Sequence, residues 1–308
     1  MRTVLAFDKR NILLDHIDII DRNARPGMET ELARTFLTVV AAGNFVSAAE
    51  RLHVTQSTVS ARIHTLEEQL RCSLFVRNKA GTRLTAAGRQ FQKHAAILVR
   101  TVERARQEVG VPTGYQAVLT VGGRIGLWEG LLLRWLPLMA ELAPDVSVRA
   151  EIGFEHDLMQ GLVEGRIDIG VMYTPQSRPG LTVERLLEER LVMVSTATNG
   201  EARPDQGYVY VDWGPEFYAQ HSIHFPDYAG TGVIANIGWL GLQHILQSGG
   251  SGYFPLRLVA PHLESGRLHR RPLAPEFRLP AYGVYPDEPG ADAVGLALEA
   301  MRQIATGG

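Results

Sequence analysis

One cysteine, Cys72, is all that the 308 residues contain. An intramolecular disulfide is therefore excluded, which suits a reducing compartment. The thiol has Arg71 beside it, yet free cysteine is among the most buried residue types, so a small buried apolar side chain is expected there. Long apolar runs are missing too. The best stretch, Leu131 to Leu138, is broken by Arg134 and Pro137, far short of the roughly 18 residues a membrane span needs. Val4-Leu5-Ala6-Phe7 is too short for the core of a secretory signal, so the chain reads as cytoplasmic. There is no Gly-rich phosphate loop, nucleophile elbow or metal motif, and Asp212, His221 and His224 lack a closed ligand spacing. No catalytic residue, metal or cofactor is expected.

Net charge is almost absent, at -2, which taken whole argues against a nucleic-acid partner. The charge is split, however. Met28 to Val111 carries 12 Lys/Arg against 7 Asp/Glu, whereas Pro112 to Gly308 carries 14 against 22. A basic module joined to an acidic remainder fits one part that meets phosphates and one that does not. Hydrophobic content of 45% and charged content of 21% are those of a globular protein of two or three domains.

What is present centres on Ser47 to Glu67. Ser47 can cap a short helix with Ala49 and Leu52 facing inward, His53-Val54 turn the chain, and Thr55 can cap a second helix. There Val59, Ile63, Leu66 and Leu70 form one apolar stripe at helical period. Gln56, Ser57, Ser60, Arg62 and His64 offer short or forked polar groups suited to a DNA major groove. The pattern is a helix-turn-helix with the second helix as reader. Thr30 to Ala42 supplies a third helix, stopped by Gly43. Leu74 to Thr85 reads as strand, turn, strand, a wing with Arg77, Lys79 and Arg83 placed for phosphate or minor-groove contact.

Thr85 can cap a long helix to Val109. Its stripe of Phe91, Ala95, Leu98, Val102, Ala105 and Val109 is a narrow heptad seam, which predicts a partner helix from a second chain and so a dimer on a two-fold site. After a hinge at Val111 to Gly114, strands and helices alternate: strands at 117–121, 146–152, 167–172, 191–194, 208–211, 233–235 and 279–285, and helices at 127–142, 156–164, 237–247, 255–265 and 291–304. Two α/β halves of this kind place a cleft between them. Arg124, Ile125 and Trp128 at the first helix start, Thr196 and Thr198 at a crossover, and Phe254 after a later helix are the effector candidates. Arg124 with the two threonines would take a carboxylate, and the two aromatics would stack on a ring. Residues 1–27 end in the breaker Arg25-Pro26-Gly27 before a second methionine, and read as a short extra helix or, in preference, a frayed tail or an upstream start not used in the cell.

The runs Phe36-Leu37, Ala48-Ala49-Glu50-Arg51-Leu52, Thr55-Gln56-Ser57-Thr58-Val59-Ser60, Leu74-Phe75-Val76-Arg77 and Leu84-Thr85-Ala86-Ala87-Gly88 resemble the LysR-type transcriptional regulators. Leu162 to Gly170 agrees more loosely, and the Leu127-Trp128 and Val211-to-Pro215 segments are also similar to the HdfR subgroup. The resemblance implies an N-terminal all-α winged helix-turn-helix (28–88), a dimerising linker helix and hinge (89–114), and an α/β periplasmic-binding-protein-like effector domain of two subdomains (115–308) with crossovers near 195 and 265–280. It further implies a homotetramer on a partly palindromic double-stranded DNA site, gated by a small-molecule co-inducer and compatible with contact to RNA polymerase. Carried onto this chain, Gln56, Ser57, Ser60 and Arg62 would contact bases and nearby phosphates. Two departures stand out: Ala61 where many members have arginine, and Arg71 where glycine is usual. A regulator with an occluded cleft and a solute-binding protein are the rival readings.

Overall fold

The computed structural model describes residues 29–78, 81–287 and 292–306. The expectation for residues 1–27 lies outside these. The chain divides into two compact units between Arg89 and Gln90.

In the first unit, α1 (Thr30–Ala42) buries Leu32, Phe36, Leu37 and Val39, and Gly43 ends it at φ 72° with its N–H on the Val39 carbonyl. The cap of α2 (Phe45–Arg51) is Asn44, not Ser47: Asn44 Oδ1 accepts the Ser47 N–H at 2.8 Å. Because Gly43 stops α1 so abruptly, Asn44 is the first polar side chain to meet the free amides, and Phe45 becomes a buried helical residue. Helix α3 (Gln56–Leu70) is capped by Thr55, whose Oγ1 accepts from the Thr58 N–H at 3.2 Å, and it buries Val59, Ile63 and Leu66. Its C-cap is Arg71 at φ 54°, a left-handed geometry that glycine holds without strain. Arg71→Gly is therefore expected to stabilise this unit by about 1 kcal/mol, after the extra chain entropy of glycine is deducted, and a thermal melt checks it. The same turn carries Cys72 outward. The thiol is exposed, contrary to the expectation of burial, and Leu74 fills the core position instead.

The wing is β1 (Phe75–Asn78) paired antiparallel with β2 (Gly81–Leu84). Glu67 Oε1 accepts the Leu74 and Phe75 N–H groups at 2.6 and 3.2 Å, tying the wing to the end of α3. The Phe75 ring packs on Phe36 and Phe45, with centroids 5.1 and 5.8 Å away. Thr85 caps α4 (Ala86–Val109), accepting from the Gly88 N–H at 2.9 Å and donating to the Ser73 carbonyl at 2.7 Å.

The expected seam on α4 is partly used within the chain. Phe91, Ala95, Ala96 and Val99 are buried, and Arg100 packs against Gly165 and donates to the Gly180 carbonyl at 3.1 Å. Ile97 and Val109 stay exposed, at 51% and 90%. Of the expected stripe itself, Phe91 and Ala95 are buried, Leu98 and Val102 half-buried, and Ala105 and Val109 exposed.

The second unit is built on a nine-stranded sheet in the order β4-β3-β5-β11-β6-β9-β7-β8, with β10 on β6. In chain order its elements are β3 (Ala117–Gly123), α5 (Ile125–Leu127), a π-helical turn (Trp128–Leu132), α6 (Leu133–Leu142), β4 (Val146–Ile152), α7 (Glu155–Glu164), β5 (Ile169–Met172) and β6 (Leu181–Ser195). Then come β7 (Tyr208–Val211), α8 (Pro215–His224), β8 (Val233–Ala235), α9 (Gly238–Ser248), β9 (Ser251–Pro255), α10 (Leu256–Glu264), β10 (His269–Arg270), β11 (Phe277–Pro286) and α11 (Asp292–Thr306). Parallel strands β3, β4 and β5 form one lobe and β7, β8 and β9 the other. The long antiparallel pair β6 and β11 runs between them, with a bulge at Ala281/Tyr282.

Where one uninterrupted helix was expected over 127–142, the π turn intervenes. Gly130 in that turn leaves space for the Arg257 guanidinium, which stands 0.9 Å from where a Cβ would be. Arg257 is paired with the buried Glu189 of β6 and donates to the Gly126 carbonyl at 3.3 Å.

Candidate nucleic-acid interface and effector cleft

With Val59, Ile63 and Leu66 facing inward, a step of about 100° per residue places Ser57, Ala61, His64, Thr65 and Glu68 on the opposite side of α3. Ser60 flanks that face, and Gln56, nearer the apolar stripe by the same count, is open because it stands in the first turn. Gln56, Ser57, Ala61 and His64 are exposed and Ser60 is half-buried. The exposed Thr55 is occupied as the cap, its Oγ1 also 2.8 Å from the Ser57 and Thr58 hydroxyls.

Arg62 does not belong to this face. It sits about 100° round toward the core, and its Nη1 bonds Glu31 Oε1 at 2.7 Å and Thr35 Oγ1 at 3.3 Å on α1. Its work is to clamp α3 onto α1, so the assignment of Arg62 to base contact is corrected. Glu68 and His64 pair at 3.2 Å across one turn of the open face. In the wing, Arg83 is exposed. Lys79 and the side chain of Arg77 lie outside the described residues.

The effector candidates fare unevenly. Arg124 is well placed. It is the N-cap of α5, its Nε lies 3.4 Å from Glu155 Oε1, it donates to the Asn236 carbonyl at 3.1 Å, and its guanidinium stacks 4.6 Å from the centre of the Phe154 ring. It thus spans from one lobe to the other. Trp128 and Phe254 are core residues, 6% and 0% exposed, and the Trp128 Nε1–H is spent on the Glu151 carbonyl at 2.8 Å. Hydrophobic burial explains both rings, and their assignment to ligand stacking is corrected. Thr196 exchanges hydrogen bonds with Gly250, and Thr198 is exposed with its carbonyl taken by Arg271. Neither threonine, nor Ile125, lines the cavity at Arg124.

That cavity, of about 160 Å3, is lined by Arg124, Glu155, Tyr173, Asp212, Trp213 and Asn236 among others. A second, of about 620 Å3, shares Tyr173, Thr174 and Trp213 with it and adds Leu181, Val183, Leu279 and Tyr282 from the crossing-strand side. Phe154, Glu155, Tyr173, Trp213 and Asn236 were missed in the sequence. A usable signal was there: Phe154-Glu155 follow β4, Tyr173-Thr174 follow β5, Asp212-Trp213 follow β7 and Asn236 follows β8. Ligand crevices of open α/β sheets form at such carboxyl ends.

Electrostatics mark other groups as structural. His221, 2% exposed, has Nε2 3.0 Å from the Tyr208 hydroxyl, and burial, with His224 as the second influence, pushes its pKa down to about 4. It is neutral at pH 7. Asp168 Oδ2 accepts the Thr120 N–H at 2.7 Å. Burial pushes its pKa up to about 6, against the pull of that hydrogen bond and of Arg104. A carboxyl whose folded pKa is raised favours the fold fully below its unfolded pKa, and that contribution is lost as pH rises through 6. Asp168→Asn is therefore expected to flatten the stability gain between about pH 7 and pH 4, worth up to about a hundredfold in the folding equilibrium, as read by denaturant melts across pH.

Family models match most of the first unit's described residues and part of the second unit. The family described as "Bacterial regulatory helix-turn-helix protein, lysR family" matches residues 30–89, and the LysR substrate binding domain matches residues 113–206. The chain is 33% identical over 193 residues to the HTH-type transcriptional regulator HdfR of Escherichia coli O45:K1 (strain S88 / ExPEC), covering 62% of this chain and 68% of that protein. Among solved structures it is similar to ArgP from Mycobacterium tuberculosis, at 23% identity and TM-score 0.54, covering 90% of this chain and 97% of that one. It is also similar to Vibrio fischeri DarR in complex with DNA, at 19% identity and TM-score 0.53, covering 90% and 99%.

Proposed function

The chain belongs to the LysR family, as a DNA-binding transcription regulator with an effector-binding domain, and we propose that Gln56, Ser57 and Ser60 read its promoter site while the cleft at Arg124 holds the controlling small molecule. The observation that carries this is the open polar face of α3, fixed in rotation by Val59, Ile63 and Leu66 and in register by the Thr55 cap. Arg83, with Arg77 and Lys79, adds phosphate contacts that position the reader without reading sequence. The two cavities, which share Tyr173, Thr174 and Trp213 as lining, favour the ligand-gated reading over an occluded cleft. The exposed Ile97 and Val109 of α4 are available to a second copy, consistent with a two-fold DNA site and a dimer or tetramer. Among the described residues no single helix is long and apolar enough to cross a membrane. The cytoplasm, where the DNA is, is the proposed place of action.

Fluorescence anisotropy on DNA from upstream of its own gene tests the reader. Gln56→Ala is expected to weaken the specific site by about 1–3 kcal/mol and to leave random DNA unaffected, because a base contact is lost and no phosphate contact is. Equal weakening on both DNAs would remove Gln56 from base readout.

A further inference from the structure

Resting on the reading of the cleft as the effector site, we propose that its ligand is a free α-amino acid with an apolar side chain, gripped by both of its charges. The smaller cavity is furnished with donors and acceptors together. On the donor side, Arg124 uses Nε and Nη2 on Glu155 and Asn236, and among the described residues its Nη1 makes no hydrogen bond. Tyr173 also lines the cavity, with its hydroxyl enclosed near Gly126.

On the acceptor side are Asp212, whose Oδ1 accepts the Gly214 N–H and, among the described residues, no other hydrogen bond, and Glu155. A simple carboxylic acid would meet Arg124 but would also face two carboxylates. A simple amine would meet those carboxylates but would leave Nη1 unsatisfied. A zwitterion satisfies both ends, its carboxylate on Arg124 and its ammonium on Asp212. The volume agrees: about 160 Å3 is on the order of a cavity that takes a benzene-sized molecule, room for an amino-acid head group with its first carbons. The adjoining cavity of about 620 Å3 receives the side chain. Its walls are Leu181, Val183, Trp213, Leu279 and Tyr282, and of its lining residues only Glu216 is a carboxylate.

Isothermal titration of the full chain with L-leucine and L-phenylalanine tests this, with 3-phenylpropionate and 2-phenylethylamine as analogues lacking one charge each. L-phenylalanine or L-leucine is expected to bind, and each analogue to bind at least tenfold more weakly. Arg124→Met should erase the preference over the amine, and Asp212→Asn the preference over the acid, in variants whose melts show an intact fold. Tight binding of 3-phenylpropionate that Arg124→Met abolishes would overturn the amino-acid class and leave the cleft reading in place. No binding of either amino acid would overturn the class in the same way. Binding of L-phenylalanine unchanged in both variants would overturn the class argument and the cleft reading together.

Discussion

Ser57→Glu is expected to lower affinity for the specific DNA site by at least about a hundredfold without loss of fold. Ser57 is exposed in the first turn of α3, on the side opposite Val59, Ile63 and Leu66. A carboxylate there faces phosphates and base-edge acceptors at close range, where each lost or reversed polar contact costs on the order of 1–3 kcal/mol. The fold moves the other way. An acidic residue at a helix N-terminus stabilises the helix by about 0.3–1 kcal/mol, which offsets the lost Ser57–Thr55 hydroxyl contact. The two signs separate reading from folding in one variant. A melt at or above the parent temperature with binding near zero is the expected pair of results. Parent-like affinity would mean that the first turn of α3 does not face the DNA.

The second large effect is on the fold. Gly88→Ala is expected to destabilise the DNA-binding unit by more than about 3 kcal/mol, although alanine is favoured over glycine within helices by about 1 kcal/mol. A Cβ at Gly88 would stand 2.2 Å from the Leu74 carbonyl oxygen and 2.9 Å from Leu84 Cδ2. That oxygen cannot withdraw freely, because it accepts the Thr85 N–H at 2.9 Å, and Thr85 is the cap of α4. The neighbouring Leu74 N–H is held by Glu67. One methyl group therefore pushes on the junction of reader, wing and long helix at once. Chemical denaturation that leaves the second unit's transition in place and shifts the first to low denaturant is the expected outcome. A change below about 1 kcal/mol would show that the junction relaxes.

These two positions were not equally legible. Ser57 follows from period alone, since an apolar stripe at 59, 63 and 66 fixes which side of the helix is open. Gly88 could be read only as part of a family pattern, because the clash involves a carbonyl 14 residues away. The elements whose residues alternate or repeat cleanly, α1, α3, α4, β3, β4 and β7, lay within a few residues of where the spacing put them. Helix α8 was missed because His221 and Phe217 bury on a short helix that also exposes Tyr218 and Ile223. The crossing strand β6 was read as four residues of its fifteen, since Glu184, Glu188 and Arg190 interrupt the apolar pattern while pairing with residues such as Arg302, Arg278 and Glu276. In the cleft, Arg124 was found from its position at a strand-to-helix junction. Trp128 and Phe254 were misassigned because large aromatics serve cores and ligands with the same chemistry, and only burial tells them apart. Arg62 was misread for a related reason: its charge suits DNA, but Glu31 stands one helix away.

The most direct test of the central claim is genome-wide capture of DNA bound by the tagged chain, with the Ser57→Glu variant captured in parallel. The expected result is a small set of discrete sites sharing a two-fold motif, all lost in Ser57→Glu. Diffuse occupancy without a shared motif, or sites unchanged in the variant, would contradict the assignment of α3 as the element that reads the promoter.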